Sequence, residues 1–167
     1  MTSFDRAADI YDQTRGLPPE VSARVADSLV EFLNLSSSDR ILEIGIGTGR
    51  IAQPLIKSLG NDHRIVGIDL SRNMMDHLRA KFTSARPPDL IQGDAVSLPF
   101  ASHSFRAVIT VHVLHLIRDW QTAIAEMNRV RDVGGVFVGG WNDHNDDSAG
   151  ERINKKFREI ALSHGVS

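Results

Sequence analysis

The sequence contains no cysteine, which excludes disulfides, thiolate metal ligands and cysteine nucleophiles together. Aromatic residues are also scarce, at 6% of 167 residues. No apolar run approaches the ~20 residues that a membrane-spanning helix needs, and the polar N-terminus is unlike a signal peptide. We therefore expect a cytoplasmic protein that does not insert into a membrane.

A large excess of one charge is absent as well, because 19 basic residues stand against 21 acidic residues. A protein that binds nucleic acid by neutralising many phosphates is therefore not expected, nor is a polybasic membrane-surface module. The seven histidines show no metal-ligand spacing, so no metal site is expected. The length and the 41% apolar content indicate one globular domain.

Short apolar runs alternate with helical patterns along the chain. Pro18 and Pro19 are predicted to begin a helix, and Ser71 is predicted to cap another. Gly134 and Gly135 are predicted to form a turn before the last strand. The apolar stripe predicted for the first helix is Val21, Val25, Leu29, Phe32 and Leu33. The predicted strands lie at 41–44, 65–68, 90–91, 105–113 and 136–138.

This alternation predicts an α/β fold with a doubly wound, mostly parallel sheet. In such folds, ligands bind beyond the carboxyl ends of the strands. Gly45, Gly47 and Gly49 follow the first predicted strand, where glycines allow a sharp turn and close approach of a ligand. A tight turn without a ligand is the alternative, since short glycine motifs give false positives.

The spacing of these glycines departs from the dinucleotide pattern G-x-G-x-x-G, because the third glycine comes one residue early. Glu43 also precedes the loop, and a carboxylate there would repel a pyrophosphate but favour a cationic ligand. The loop is therefore better suited to a cationic or zwitterionic nucleoside than to a dinucleotide.

Acidic residues end the next two predicted strands, Asp69 the second and Asp94 the third. Carboxylates at these positions can accept hydrogen bonds from ribose hydroxyls and from an adenine amino group. Asp69 could instead serve only as a charge before the helix that follows. Met74 could cover an adenine face or belong to the core. Taken together, the three polar strand ends predict a nucleoside site.

Four ordered segments carry a family resemblance: ILEIGIGTGR at 41–50, VGIDLS at 66–71, IQGDAVSLPF at 91–100 and VITVHVLHLI at 108–117. They resemble the motifs of class I S-adenosylmethionine-dependent methyltransferases, and are most similar to the small-molecule group called type 11. The resemblance runs from about residue 4 to residue 141. It implies a Rossmann-like methyltransferase fold, S-adenosyl-L-methionine as cofactor, and a small-molecule methyl acceptor with an unspecified O, N or C nucleophile.

The resemblance also implies cofactor contacts along the chain. The glycine loop and Glu43 would lie at the methionine part, Asp69 at the ribose and Asp94 at the adenine edge. Arg15 could pair with the methionine carboxylate or with a surface acid. The complete implied set is Tyr11, Arg15, Glu43, Gly45, Gly47, Gly49, Asp69, Leu70, Met74, Asp94, Ala95, Thr110 and His112.

Two histidines follow the fourth predicted strand. His115 is the candidate general base, with His112 second, because imidazole titrates near neutral pH. Both could instead satisfy hydrogen bonds at a helix start. No Asn/Asp-Pro-Pro-aromatic motif follows this strand, which argues against a nucleic-acid base as the acceptor.

The family's fold continues with two further strands, whereas residues 146–165 favour only a helix. We therefore expect one truncated domain: N-terminal helices in 1–35, a sheet core at 40–141 and a lid helix at 146–165, without the last two strands. The exposed sheet edge predicts a homodimer or poor solubility. A non-catalytic domain that binds S-adenosylmethionine or S-adenosylhomocysteine is the alternative function. A nicotinamide-dependent oxidoreductase is a second one, which Glu43 and the early glycine disfavour.

Overall fold

Five parallel strands form one sheet in the order β3-β2-β1-β4-β5. The computed structural model describes residues 11–12, 18–36, 38–60, 62, 64–83 and 86–140. The chain moves outward from β1 through β2 to β3, then returns to β4 on the other side of β1 and continues to β5. This reversal confirms the doubly wound α/β prediction. The strands are β1 (Arg40–Ile44), β2 (Arg64–Asp69), β3 (Asp89–Gln92), β4 (Phe105–Val111) and β5 (Arg131–Gly140).

Besides the helical residues Tyr11 and Asp12, the described part of the chain forms four α-helices, the first of which precedes β1, and one short 3-10 helix. Pro18 caps the first helix, and the side chain of Ser71 accepts a hydrogen bond from Met74 N at 3.2 Å, so both predicted helix starts are confirmed. None of the described helices combines the length and the apolarity that crossing a membrane requires. The helices are α1 (Pro19–Phe32), α2 (Ala52–Leu59), α3 (Arg72–Ala80) and α4 (Trp120–Val130), with the 3-10 helix at Leu114–Leu116.

The core lies on both faces of the sheet. Alternate residues along a strand point to opposite faces: Leu42 packs in a cluster with Met127 of α4, and its neighbour Ile41 packs in another with Leu55 of α2. All three strands β1, β2 and β4 are therefore apolar along most of their length, which is typical of a parallel sheet covered on both sides.

The predicted turn at Gly134 and Gly135 is wrong, because both residues lie inside β5. The register shifts there: Phe105 pairs with Arg131, but Ala107 pairs with Val136. The extra residues of β5 form an irregularity in which Gly134 adopts a φ of +73°, a conformation that glycine accepts readily. A glycine pair therefore marks a bulge here and not a turn.

The apolar stripe predicted for the first helix is only partly buried. Leu33 is buried, but Val21 and Val25 are exposed and Phe32 is 80% exposed. The buried residue of the helix is Ala26, and α1 packs against α2. The predicted helix at 146–165 and most of the residues before 18 lie outside the described part of the chain.

Candidate functional site

A cavity of about 300 Å³ opens at the carboxyl ends of β1, β2, β3 and β4. This is the edge where open α/β sheets bind ligands, at the point where the strand order reverses. The described residues that line it are Tyr11, Ile44, Gly45, Gly47, Ile68, Asp69, Leu70, Ser71, Met74, Gly93, Asp94, Ala95, Val111, His112, Val113, Leu116 and Ile117.

Asp69 joins two loops at the rim of this cavity. Gly47 N donates to Asp69 Oδ2 at 2.8 Å, and Ser71 N donates to Asp69 Oδ1 at 2.8 Å. The carboxylate thereby fixes the glycine loop after β1 to the connection between β2 and α3. An ionised carboxylate only accepts hydrogen bonds, so at this rim it is suited to the hydroxyl groups of a ligand.

Two glycines of the loop have different reasons for lacking a side chain. At Gly45, with φ +68°, a Cβ would lie 2.3 Å from Val113 Cγ2, so packing alone forbids a larger residue. At Gly47, with φ +53°, a Cβ would lie 3.4 Å from Met74 Cε and 4.0 Å from Asp69 Oδ2. That Cβ would occupy cavity space between a thioether and a carboxylate, which is the space that a nucleoside would need.

Glu43 lies beneath the loop and does not line the cavity. Its side chain is buried, its Oε2 has no hydrogen-bond partner among the described residues, and the backbone of Ala52 hydrogen-bonds to the carboxyl group. Burial, reinforced by the nearby charge of Asp69, raises the pKa of Glu43 to about 8. The buried Oγ1 of Thr110, on the neighbouring strand, also lacks a partner in the described part.

The N-terminal pair Tyr11 and Asp12 is held against the glycine loop. Thr48 Oγ1 donates to Asp12 Oδ1 at 2.5 Å, Lys81 Nζ contacts Asp12 Oδ2 at 2.5 Å, and the same Nζ donates to Thr48 O at 2.7 Å. Partial burial of Asp12 opposes its ionisation, but the hydrogen bonds from Lys81 and Thr48 outweigh it and lower the pKa of Asp12. These contacts bring Tyr11 to the cavity wall.

The segment after β4 forms the opposite wall. β4 ends at Val111, two residues before the predicted end, and His112 adopts a left-handed φ of +58°. Its backbone N–H donates to Gly140 O at 2.7 Å, which closes the end of β5 onto this turn. Such a conformation is uncommon for a residue other than glycine, and it directs Val113 towards Gly45.

Most of the residues that the resemblance implied do line the cavity. Glu43 and Thr110 are instead buried beneath it, and Gly49 packs against Leu78. His115, on the 3-10 helix, is exposed and does not line the cavity, while Arg15 lies outside the described residues. The implied residues that line the cavity are Tyr11, Gly45, Gly47, Asp69, Leu70, Met74, Asp94, Ala95 and His112.

The apolar wall formed by Val113, Leu116 and Ile117 is not predicted from the sequence. Val113 belongs to an apolar run that predicts a strand, and no glycine or proline marks the left-handed turn at His112. A helical signal spanning only the three residues Leu114–Leu116 is too short for periodicity to detect.

The arrangement fits a nucleoside with a positive charge. Asp69 and Asp94 supply acceptors at two strand ends, and Met74 and Ala95 supply apolar surface in the same lining. The charge of Asp69 favours a cation over a pyrophosphate, whereas Glu43, whose pKa is raised to about 8, keeps its proton at neutral pH and adds no charge. Across the described ranges, no group of three or more His, Asp or Glu side chains is placed to hold a metal ion.

Comparisons with known proteins agree with this geometry. A family model described as a methyltransferase domain matches residues 42–139. A demethylmenaquinone methyltransferase of Staphylococcus aureus is 34% identical over 110 residues, which cover 66% of this chain and 46% of that protein. The chain thus spans less than half the length of the curated relatives it matches.

Solved structures share the fold. A SAM-dependent methyltransferase from Aquifex aeolicus superposes with a TM-score of 0.67 at 14% identity, covering 82% of this chain and 74% of that one. The [4+2]-cyclase SpnF superposes with a TM-score of 0.63 at 27% identity, covering 74% and 46% respectively. The chain therefore belongs to the methyltransferase-domain family.

Proposed function

We propose that this protein transfers a methyl group from S-adenosylmethionine to a small-molecule acceptor. The observation that carries the proposal is Asp69, which both backbone loops hold at the rim of a cavity open to the strand ends. In this position the carboxylate is ready to accept hydrogen bonds from ribose hydroxyls. Family membership adds support, because the matched region includes the carboxyl end of every strand that contributes to the cavity.

The bound cofactor supplies the electrophilic methyl group on its sulfonium. The chain's own residues bind and orient: Asp69 accepts from the ribose, Asp94 meets the adenine edge, and Met74 covers the ring. Val113 and Ile117 exclude water from one wall. Orientation of two reactants can supply up to ~7–11 kcal/mol of a barrier, so methyl transfer does not require a base in every case.

We further propose an apolar ring compound of the quinone class as the acceptor. Curated relatives named demethylmenaquinone methyltransferases support this, as does the apolar rim formed by Leu70 and Leu116, which are 53% and 51% exposed. Incubation with S-adenosylmethionine carrying a radiolabelled methyl group, and with a reduced demethylated quinone, is expected to label the quinone. Hydroxyl and amine acceptors serve as comparisons. Binding of S-adenosylhomocysteine without labelling of any acceptor would support a non-catalytic binding domain instead.

Two histidines in the segment 112–115 are candidates for a general base, and one variant of each tests which of them has this role. His112 lines the cavity, whereas His115 is exposed beside it. We expect His112→Asn to lower kcat about 100-fold with a protonated acceptor, the scale of lost acid–base help, and His115→Asn to lower it less than about tenfold. Asparagine is chosen because it tolerates the left-handed φ of residue 112. The reverse order of effects would assign the base to His115.

We also propose that two copies associate through the edge of the sheet. β5 is the outermost strand on its side of the described sheet, and Val133 on it is 83% exposed. An unpaired edge presents backbone donors and acceptors to a second strand. Multi-angle light scattering is expected to give the mass of a dimer at micromolar concentration. A monodisperse monomer across the concentration range would rule this association out.

A further inference from the structure

A second cavity, of about 460 Å³, lies behind the glycine loop between α1 and α2. Tyr11 is the one described residue that lines both this cavity and the one at the strand ends. The described lining consists of Tyr11, Asp12, Pro19, Ser22, Ala23, Gly49, Arg50, Gln53, Pro54, Lys57, Ser58 and Lys81.

The charges around this cavity do not balance. Its lining contains three cationic side chains but a single carboxylate, Asp12. That carboxylate is already bonded to Lys81 and to Thr48. Arg50 and Lys57 therefore face the cavity with no carboxylate of the described lining left to neutralise them.

Arg50 provides a second, independent observation. Its Nε is buried and has no hydrogen-bond partner among the described residues. A buried donor without an acceptor costs ~1–3 kcal/mol, and more when the group is charged. The Arg50 side chain also lies in the lining of the cavity, and a guanidinium forms two parallel hydrogen bonds with a carboxylate or a phosphate.

Local structure brings the required donors to one side. Arg50 follows Gly49 at the end of the glycine loop. Gln53 and Lys57 are four residues apart in α2 and therefore lie on one face of that helix. Ser22 faces them from α1. A guanidinium, an ammonium and two neutral polar groups thus surround one space.

We propose that this second cavity binds the oxyanion of a small molecule, a phosphate or a carboxylate, between Arg50 and Lys57. The site is separate from the cofactor cavity and takes a ligand of the opposite charge. It uses none of the residues that hold the ribose or the adenine in the proposed function.

Titration of the full chain with inorganic phosphate, and separately with acetate, at constant ionic strength tests this proposal by calorimetry. We expect saturable binding that weakens about tenfold or more in Arg50→Gln and several-fold in Lys57→Gln. Arg24→Gln removes an exposed cation of α1 outside this cavity and is the matched control, with unchanged affinity expected. Tighter phosphate than acetate binding would identify a phosphate ligand, and the reverse a carboxylate.

Arg50→Lys distinguishes the loss of the anion contact from the loss of the fold. This variant keeps the positive charge and is expected to retain part of the affinity for the anion. Circular dichroism of each variant verifies the fold. Absence of saturable binding by both anions to the wild type would overturn the proposal, as would an equal loss in Arg24→Gln. Neither result depends on whether the chain binds S-adenosylmethionine.

Discussion

Replacing Asp69 with asparagine is expected to weaken S-adenosylhomocysteine binding by about 100-fold, equivalent to ~2.7 kcal/mol. Hydrogen bonds to a charged group contribute ~1.5–3 kcal/mol each, and the variant loses the charge that the ribose hydroxyls would meet. It also places an amide NH₂ against Gly47 N or Ser71 N, both of which donate to the native carboxylate. Calorimetric titration of the wild type and the variant measures the difference.

Asp76→Asn is the matched control for this variant. Asp76 lies on α3, exposed and paired with Arg72 and Arg79, outside the cavity lining. Its replacement is expected to leave the affinity within about threefold of the wild type, since surface ion pairs contribute ~0–1 kcal/mol. An Asp69→Asn protein that binds S-adenosylhomocysteine as tightly as this control would contradict the assigned role of Asp69.

Replacing Glu43 with glutamine is expected to change how stability depends on pH. The pKa of Glu43 is about 8 in the folded protein against 4.5 for an ordinary glutamate, so the native state keeps a proton that the unfolded chain releases. The free energy of unfolding therefore falls as pH rises from about 4.5 to about 8. At ~1.4 kcal/mol per unit, the loss is on the order of several kcal/mol. Glu43→Gln has no such proton, so its stability relative to the wild type rises with pH.

Urea unfolding at a series of pH values from 5 to 8.5 measures this dependence. Glu126→Gln is a useful control, because the hydrogen bond from Arg129 lowers the pKa of Glu126. A lowered pKa gives a contribution that is present above the unfolded pKa and lost only at more acidic pH, so the Glu126→Gln difference should be flat across this range. A flat difference for Glu43→Gln as well would show that Glu43 is ionised in the folded protein.

The central strands and their polar ends could be predicted from the sequence because the signals are local. β1, β2 and β4 are buried on both faces, so each is largely apolar, and Asp69 stands at the end of β2 as predicted, whereas β4 ends two residues before its predicted end. Ser71 is an N-cap that needs only its own helix to be recognised. Asp69, Asp94 and Gly47 reach the cavity because parallel strands end at one edge of the sheet.

Other features depend on contacts between distant residues and have no local signal. The bonds from Thr48 and Lys81 to Asp12 connect residues 36 and more positions apart. β5 begins at Arg131, directly after α4 ends, so no loop separates the helix from the strand. The glycines of β5 lie at its register shift and do not form a turn. The side of α1 that is buried is decided by packing against α2, which an apolar stripe alone does not specify.

The most direct measurement is parallel calorimetric titration of the full chain with S-adenosylmethionine, S-adenosylhomocysteine and NAD. The Asp69 carboxylate at the cavity rim, together with the early third glycine of the loop, predicts micromolar binding of both sulfur nucleosides and no binding of NAD. Circular dichroism of the same sample establishes that the protein is folded. A folded protein that binds NAD, or that binds neither sulfur nucleoside, would contradict the assignment of this cavity to S-adenosylmethionine.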